Sequence, residues 1–208
     1  SQTFYDEIAL CKQYPVTSFP SIKQIEDKIR QVAEHHEEVL ILALSKALSG
    51  THDAILSVAK KHNNVHVVNT RLISGAQGLL LNYAAELIAD GFSLSAVKDA
   101  LNKKISKTRI YVLVKTMDSL MRSGRVGKVT GNIAKWMGLK PILTLDAEGK
   151  MVSAGKVMRE RAAYARLIQD IQILARTILG ERSKIFICTV EDGQLKINMN
   201  SKILNVTG

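Results

Sequence analysis

The sequence predicts an α/β protein: a parallel sheet flanked by helices, followed by a smaller α+β layer. Three observations carry this. Residues 39–44 (Val-Leu-Ile-Leu-Ala-Leu) are apolar without alternation, as in a strand buried on both faces. A helical stretch from about His52 and a second apolar run at 65–68 complete a β-α-β pattern. Beyond Met137-Gly138 the character changes, with strand-like runs paired across short turns around one long helix. These shifts place one domain at 1–137 and a smaller one at 138–208.

In order along the chain, residues 3–13 read as a short helix closed before Pro15. Ser18 or Ser21 can cap the next helix, in which Ile22, Ile25, Ile29 and Val32 recur at helical spacing, and Ser21 with Gln24 has capping-box spacing. After the first strand, Ile55, Leu56 and Val58 belong to the crossover helix. A mostly apolar helix spans 74–89 with Gly91 near its stop, and Ser93 or Ser95 starts another through Leu101. Residues 109–115 supply a third strand alternating with helices, and Thr116 caps a short helix ending near Gly124. In the second half, Asp146-Ala147-Glu148-Gly149 is a hairpin-like turn between strands at 141–145 and 150–157. A helix with Leu167, Ile171, Leu174 and Ile178 on one face ends at Gly180, before strands at 184–190 and 194–206 joined through Asp192-Gly193.

Composition narrows the function. With 208 residues and 46% hydrophobic content the chain can bury a sizeable core. The first residues lack a basic start and a long apolar stretch, and no run is apolar for long enough to span a bilayer, so the expected compartment is the cytoplasm. Cys11 and Cys188 form neither a disulfide framework nor a metal pattern, and the histidines lack paired ligand spacing. No metal or cofactor is expected. The net charge of +10 could serve a nucleic-acid partner, but the basic residues are spread along the chain and aromatics are only 5%, which leaves poor stacking platforms. The nucleophile-elbow, phosphate-loop and dinucleotide fingerprints are absent, which argues against an independent enzyme.

Two hydroxyl clusters beside predicted helix starts point to an anion: Thr17-Ser18-Phe19-Pro20-Ser21 and Ser45-Lys46-Ala47-Leu48-Ser49-Gly50-Thr51. The second follows a strand and feeds a helix, so unpaired N–H groups, the positive end of the helix dipole and hydroxyl donors share one place. Alone, Ser49-Gly50-Thr51 reads more readily as a helix cap than as a ligand site, and Pro20 equally as a first-turn proline.

These two clusters, with residues 120–126 (Leu-Met-Arg-Ser-Gly-Arg-Val) and Leu139-Lys140-Pro141-Ile142-Leu143, resemble in order and spacing the motifs of the DegV family of bacterial fatty-acid-binding proteins. The family pattern there is Thr-Ser-x-Pro-Ser, Ser-x-x-x-Ser-Gly-Thr, Leu-x-x-Gly-Gly-Arg-Ile and Ile-Lys-Pro-Ile-Leu. The resemblance implies a Rossmann-like α/β domain and a smaller α/β domain with a long-chain fatty acid buried between them, its carboxylate presented to a separate fatty-acid kinase for acyl phosphate formation and lipid synthesis. The protein would carry the acyl chain rather than catalyse. Position by position, Thr17, Ser18 and Ser49 would donate to the carboxylate and Arg125 would supply positive charge. At about 0.8 kcal/mol per methylene, a tail of roughly fourteen groups offers on the order of 11 kcal/mol before ordering costs, so the tail sets affinity and the hydroxyls set orientation.

Departures from the pattern are Lys46 for a serine, Ser123 for the first glycine, and Asn69-Thr70 for Asp-Ser. The family's upstream strand with its Asp-Ser turn and its closing His-Gly-Pro-Gly segment have no match here. Without that strand the expected fold is N-terminally incomplete, as for a fragment, a reduced family variant or one part of an assembly, and the sheet edge this would expose favours a homo-oligomer or a completing chain. The alternative of a different class is a phosphate-ligand or nucleic-acid module built on the basic segment 122–135, with Arg122, Arg125, Lys128 and Lys135.

Overall fold

The computed structural model describes residues 7–8, 10–11, 15–113, 139–158, 160–174, 187–191 and 194–198. Its elements are α1 (Ile22–Ala33), β1 (Val39–Ala43), α2 (Thr51–Ala59), β2 (Val65–Asn69), α3 (Ser74–Ala89), α4 (Leu94–Lys107), β3 (Tyr111–Leu113), β4 (Lys140–Leu145), β5 (Met151–Val157), α5 (Glu160–Leu174), β6 (Ile187–Glu191) and β7 (Gln194–Asn198). They fall into two compact units, one of residues 18–112 with 143–152, the other of 1–17, 113–142 and 153–208.

In the first unit β1 and β2 pair in parallel, with Val39 opposite Val65 and Ala43 opposite Asn69. This is the predicted β-α-β crossover, and α2 is its helix. Val39, Ile41, Val65 and Val67 share one face of the pair. There they pack with Ile25 and Ile29 of α1 and with Ala54 and Val58 of α2 into one apolar cluster. The helical spacing read from Ile25 and Ile29 is therefore the buried stripe of α1. Leu40, Leu42, His66 and Val68 point to the opposite face. On that side the Gln77 amide of α3 donates to the Leu42 carbonyl at 2.9 Å.

Helix ends follow local chemistry. Ser21, not Ser18, caps α1, and the reciprocal capping box with Gln24 is formed. Ser93 caps α4 through Ala96 N–H at 3.4 Å. α3 stops where Gly91 adopts φ +81, and Phe92 N–H donates back to Leu87 O at 3.1 Å. The buried residues of α3 and α4 are Ala76, Leu80 and Ala84, and Val97, Leu101 and Ile105. Glu26 of α1 is tied to Lys61 just past α2 at 2.8 Å, and the hydrogen bond from Lys61 together with its charge holds the Glu26 carboxyl below the ordinary carboxylate range.

The third strand departs from expectation. β3 does not extend the parallel β1-β2 pair but stands beside β4 and β5 in a three-stranded sheet of order β3-β4-β5. Its described residues are Tyr111–Leu113, with Val112 exposed. The Thr144 hydroxyl donates to Ile110 O at 2.7 Å, tying the start of this strand to β4. The 146–149 turn joins β4 to β5 as predicted, with Gly149 N–H donating to Asp146 O at 3.0 Å and the Asp146 carboxylate accepting from Glu148 and Lys150 N–H. In the second unit α5 buries Ala163, and β6 and β7 pair antiparallel with Ile187 opposite Asn198. The short helix expected at 116–124, the Asp192-Gly193 turn and the end of the long helix at Gly180 lie outside the described residues.

Two outcomes test this packing. Ile29→Ala should lower unfolding free energy by about 2–5 kcal/mol, because Ile29 is 4% exposed at the centre of the α1-α2 cluster. Ser21→Ala should lower it by about 1 kcal/mol, since it removes the hydroxyl that accepts from Gln24 N–H and leaves only the backbone half of the capping box. Urea unfolding followed by circular dichroism reads both.

Candidate functional site

The 45–51 hydroxyl loop lies at the C-terminal end of β1, the end at which open α/β sheets take ligands. The loop after β1 is held by bonds that its sequence does not advertise. Ser45 is fully buried; its hydroxyl donates to Gly149 O at 2.7 Å and accepts from Ala47 N–H at 3.3 Å, while its own N–H donates to Leu72 O. Ser45 is thus consumed by the fold. The loop after β2 is fixed in the same way. Thr70, also fully buried, donates to Ala43 O at 2.8 Å, and the Asn69 side-chain oxygen accepts from Lys46 and Arg71 N–H. Asn69, read above as a departure from a family pattern, is the link that ties the two loops together.

The 146–149 turn closes the arrangement from the other side. Gly149 has φ +79, and a Cβ there would meet the Ser45 hydroxyl and stand 2.9 Å from both Cα and O of Arg71. Arg71 itself has φ 55, and its guanidinium donates to Ala147 O at 3.2 Å. Glycine is required at 149 by conformation and by space at once.

Ser49 differs from Ser45. It is half-buried, its hydroxyl lies 2.7 Å from the Thr51 hydroxyl, and it accepts from Thr51 N–H at 3.2 Å. Of the two protons in this hydroxyl pair one is shared between the oxygens, leaving the other for an outside acceptor. Helix α2 starts here, with Gly50 as N-cap and no side-chain cap bond. The first intrahelical donor is Ala54 N–H, to Gly50 O at 3.0 Å, so the amides of His52 and Asp53 belong to the unsatisfied first turn. The His52 ring donates from Nδ1 to the Asp53 carboxylate at 2.8 Å, which engages the one acidic group of that turn.

The first hydroxyl loop meets the second through Phe19. A Cβ on Gly50 would lie 3.1 Å from Cε1 of Phe19, so the ring rests directly on the Gly50 backbone. Phe19 occupies the variable position of Thr-Ser-x-Pro-Ser, and its only advance signal was an aromatic ring set among hydroxyl residues near a glycine-bearing loop. Thr17 and Ser18, which flank it, are both exposed. Arg125, the expected charge at the head group, lies outside the described residues, as does the rest of the 122–135 basic segment. Among the described residues no group of three or more His, Cys, Asp or Glu could hold a metal, and no helix is long and apolar enough to cross a membrane.

A parallel strand pair joined by a crossover helix, with a separate antiparallel pair, defines a mixed α/β protein. The chain belongs to the DegV family: the profile described as "Uncharacterised protein, DegV family" matches residues 1–201. A DegV domain-containing protein of Clostridium acetobutylicum is 27% identical over 186 residues, covering 88% of this chain and 65% of the relative. One from Streptococcus pyogenes serotype M1 is 30% identical over 165 residues, covering 76% of this chain and 58% of the relative. Among solved structures, the fatty-acid-binding DegV family protein of Thermus thermophilus superposes with TM-score 0.78 at 29% identity, over 85% of this chain and 63% of that one. The fatty-acid-binding DegV family protein of Streptococcus agalactiae gives 0.76 at 26%, over 84% and 63%. The chain thus spans less than two thirds of the length of these relatives.

Gly149→Ala should destabilise the protein by more than the about 1–2 kcal/mol that a left-handed backbone alone costs a non-glycine residue, because the added carbon also strikes Ser45 and Arg71. Thermal unfolding checks it. A variant as stable as the parent would show that the 146–149 turn does not brace these loops.

Proposed function

We propose that this protein binds a long-chain fatty acid non-covalently, holds its carboxylate at Thr17, Ser18, Ser49 and Arg125, and presents it to a fatty-acid kinase in the cytoplasm without catalysing a reaction itself. The observation that carries the reading is the contact of Phe19 with Gly50, which sets the two hydroxyl loops against each other at the start of α2. The solved relatives at 26% and 29% identity that bind fatty acids support the ligand class.

The chemistry agrees. Hydrogen bonds to an ionised carboxylate are about twice as strong as neutral ones, and a helix start favours negative charge. An ionised carboxylate carries only acceptors, so it complements the spare proton of the Ser49-Thr51 pair and the open amides of α2. A neutral amide or alcohol head group would gain less from the same donors. Burial of an acyl chain supplies most of the affinity, and the polar end chooses which molecule enters and which way round.

Native mass spectrometry of the purified chain should show a co-purifying fatty acid that is released by organic extraction. Ser49→Ala should weaken acyl binding by roughly tenfold or more, the range expected for one hydrogen bond to a charged group. Arg125→Ala should also weaken it, with both variants retaining the parent's thermal unfolding. Unchanged affinity in both removes the site assignment, and a bound nucleotide or nucleic acid in place of a lipid removes the function.

A further inference from the structure

Gly50 is a glycine that its own backbone does not require. At φ -67 and ψ -2 it stands in the right-handed helical region, which other residues adopt without strain. Its missing side chain is therefore not a demand of the turn, as it is at Gly149. What the absence permits is contact. A Cβ on Gly50 would lie 3.1 Å from Cε1, 3.4 Å from Cδ1 and 3.9 Å from Cζ of Phe19, so one edge of the ring rests on the main chain where α2 begins. Phe19 is 42% exposed, and this contact is made at the protein surface rather than in the core.

The contact sits between the two hydroxyl loops. Ser18 precedes Phe19 and Ser49 precedes Gly50, each one residue, or about 3.8 Å of chain, away. Gly50 also divides the bonded hydroxyl pair of Ser49 and Thr51, and the first-turn amides of His52 and Asp53 follow it. Donors of this kind, taken alone, suit any anion. A free phosphate presents polar oxygens in every direction, so a hydrocarbon ring at the donors replaces a polar partner or a water and costs it binding. An alkyl carboxylate carries its two acceptor oxygens at one end and carbon at the other, and so meets the donors and the ring together.

We infer that Phe19 is the specificity-determining residue of this site: its ring, seated on Gly50, selects a carboxylate borne on an alkyl chain over a free phosphate by offering the first methylenes an apolar surface beside the Ser49-Thr51 hydroxyls. The inference rests on the fatty-acid reading and adds to it the residue that decides between two classes of anion. Gly50 sets how closely the ring approaches, because a carbon at 3.1 Å from Cε1 is accommodated only if the ring gives way by a few tenths of an ångström. Bulk added at position 50 and the ring removed at position 19 therefore act on the choice of ligand in the same direction, although they alter the protein in opposite ways.

The test measures palmitate and inorganic phosphate binding to the full chain by isothermal titration calorimetry, with thermal unfolding of each variant followed by circular dichroism. Phe19→Ser should weaken palmitate binding by roughly tenfold while phosphate binding stays the same or tightens, and Phe19→Leu should recover most of the loss. Gly50→Ala should weaken palmitate binding by roughly threefold or more at an unfolding temperature equal to or above the parent's, because alanine suits this backbone and restricts the unfolded chain. A residue that only held the loops in place would weaken both anions alike. Equal losses for the two ligands in Phe19→Ser would therefore overturn the proposal, as would undiminished palmitate affinity in that variant or in Gly50→Ala. A parent that binds palmitate beside variants that bind it equally well removes this inference and keeps the fatty-acid reading, whereas a parent that binds no palmitate removes both.

Discussion

Everything at the candidate site depends on the parallel register of β1 and β2. Parallel strands cannot be joined by a tight turn; they need a crossover, here α2, and the crossover must leave β1 from the same end at which β2 later finishes. The loop after β1 and the loop after β2 are therefore neighbours by topology. Their side chains then turn proximity into a fixed shape. Ser45 reaches Gly149 and Leu72, Thr70 reaches Ala43, and Asn69 accepts from both loops. A shift of one residue in the register would point Ile41 away from the α1-α2 core and break these links together.

This rigidity explains a division of labour among similar residues. Two serines four positions apart have opposite roles: Ser45 is fully buried and satisfied by the protein, whereas Ser49 is half-buried and, among the described residues, bonded within its own turn. A buried hydroxyl without a partner would be costly, so the strand end spends Ser45 on Gly149. Ser49 stands one turn further along, at the helix start, where its partner Thr51 is local and solvent is near. The spacing of the motif thus puts one hydroxyl under the loop and one on it.

Much of this was legible from the chain. The non-alternating apolar run at 39–44, the crossover, the capping box at Ser21 and the helix at 74–89 are local patterns whose physics lies in adjacent residues, and each appears in the structure. The place of β3 was not legible. Its sequence announces a strand, but which sheet accepts it depends on β4, about thirty residues away, and on the Thr144-Ile110 bond. The site divides along the same line. Ser49 was visible as a hydroxyl at a helix start, while the anchoring by Ser45, Asn69 and Gly149 and the stacking of Phe19 on Gly50 are long-range contacts with no local signature.

The strand that supports the loops also links them to α3. Ala43, at the end of β1, receives the Thr70 hydroxyl and amide, and Leu42, its neighbour, carries the carbonyl that accepts from the Gln77 amide of α3. Successive residues of one strand thus serve the loop and the helix, because alternation sends their main-chain groups in opposite directions. Ordering on one side restricts the same backbone torsions that position the other. A protein that fixes a head group through main-chain amides at a helix start gains from such restraint, since donors held in place before the ligand arrives lose less freedom when it binds.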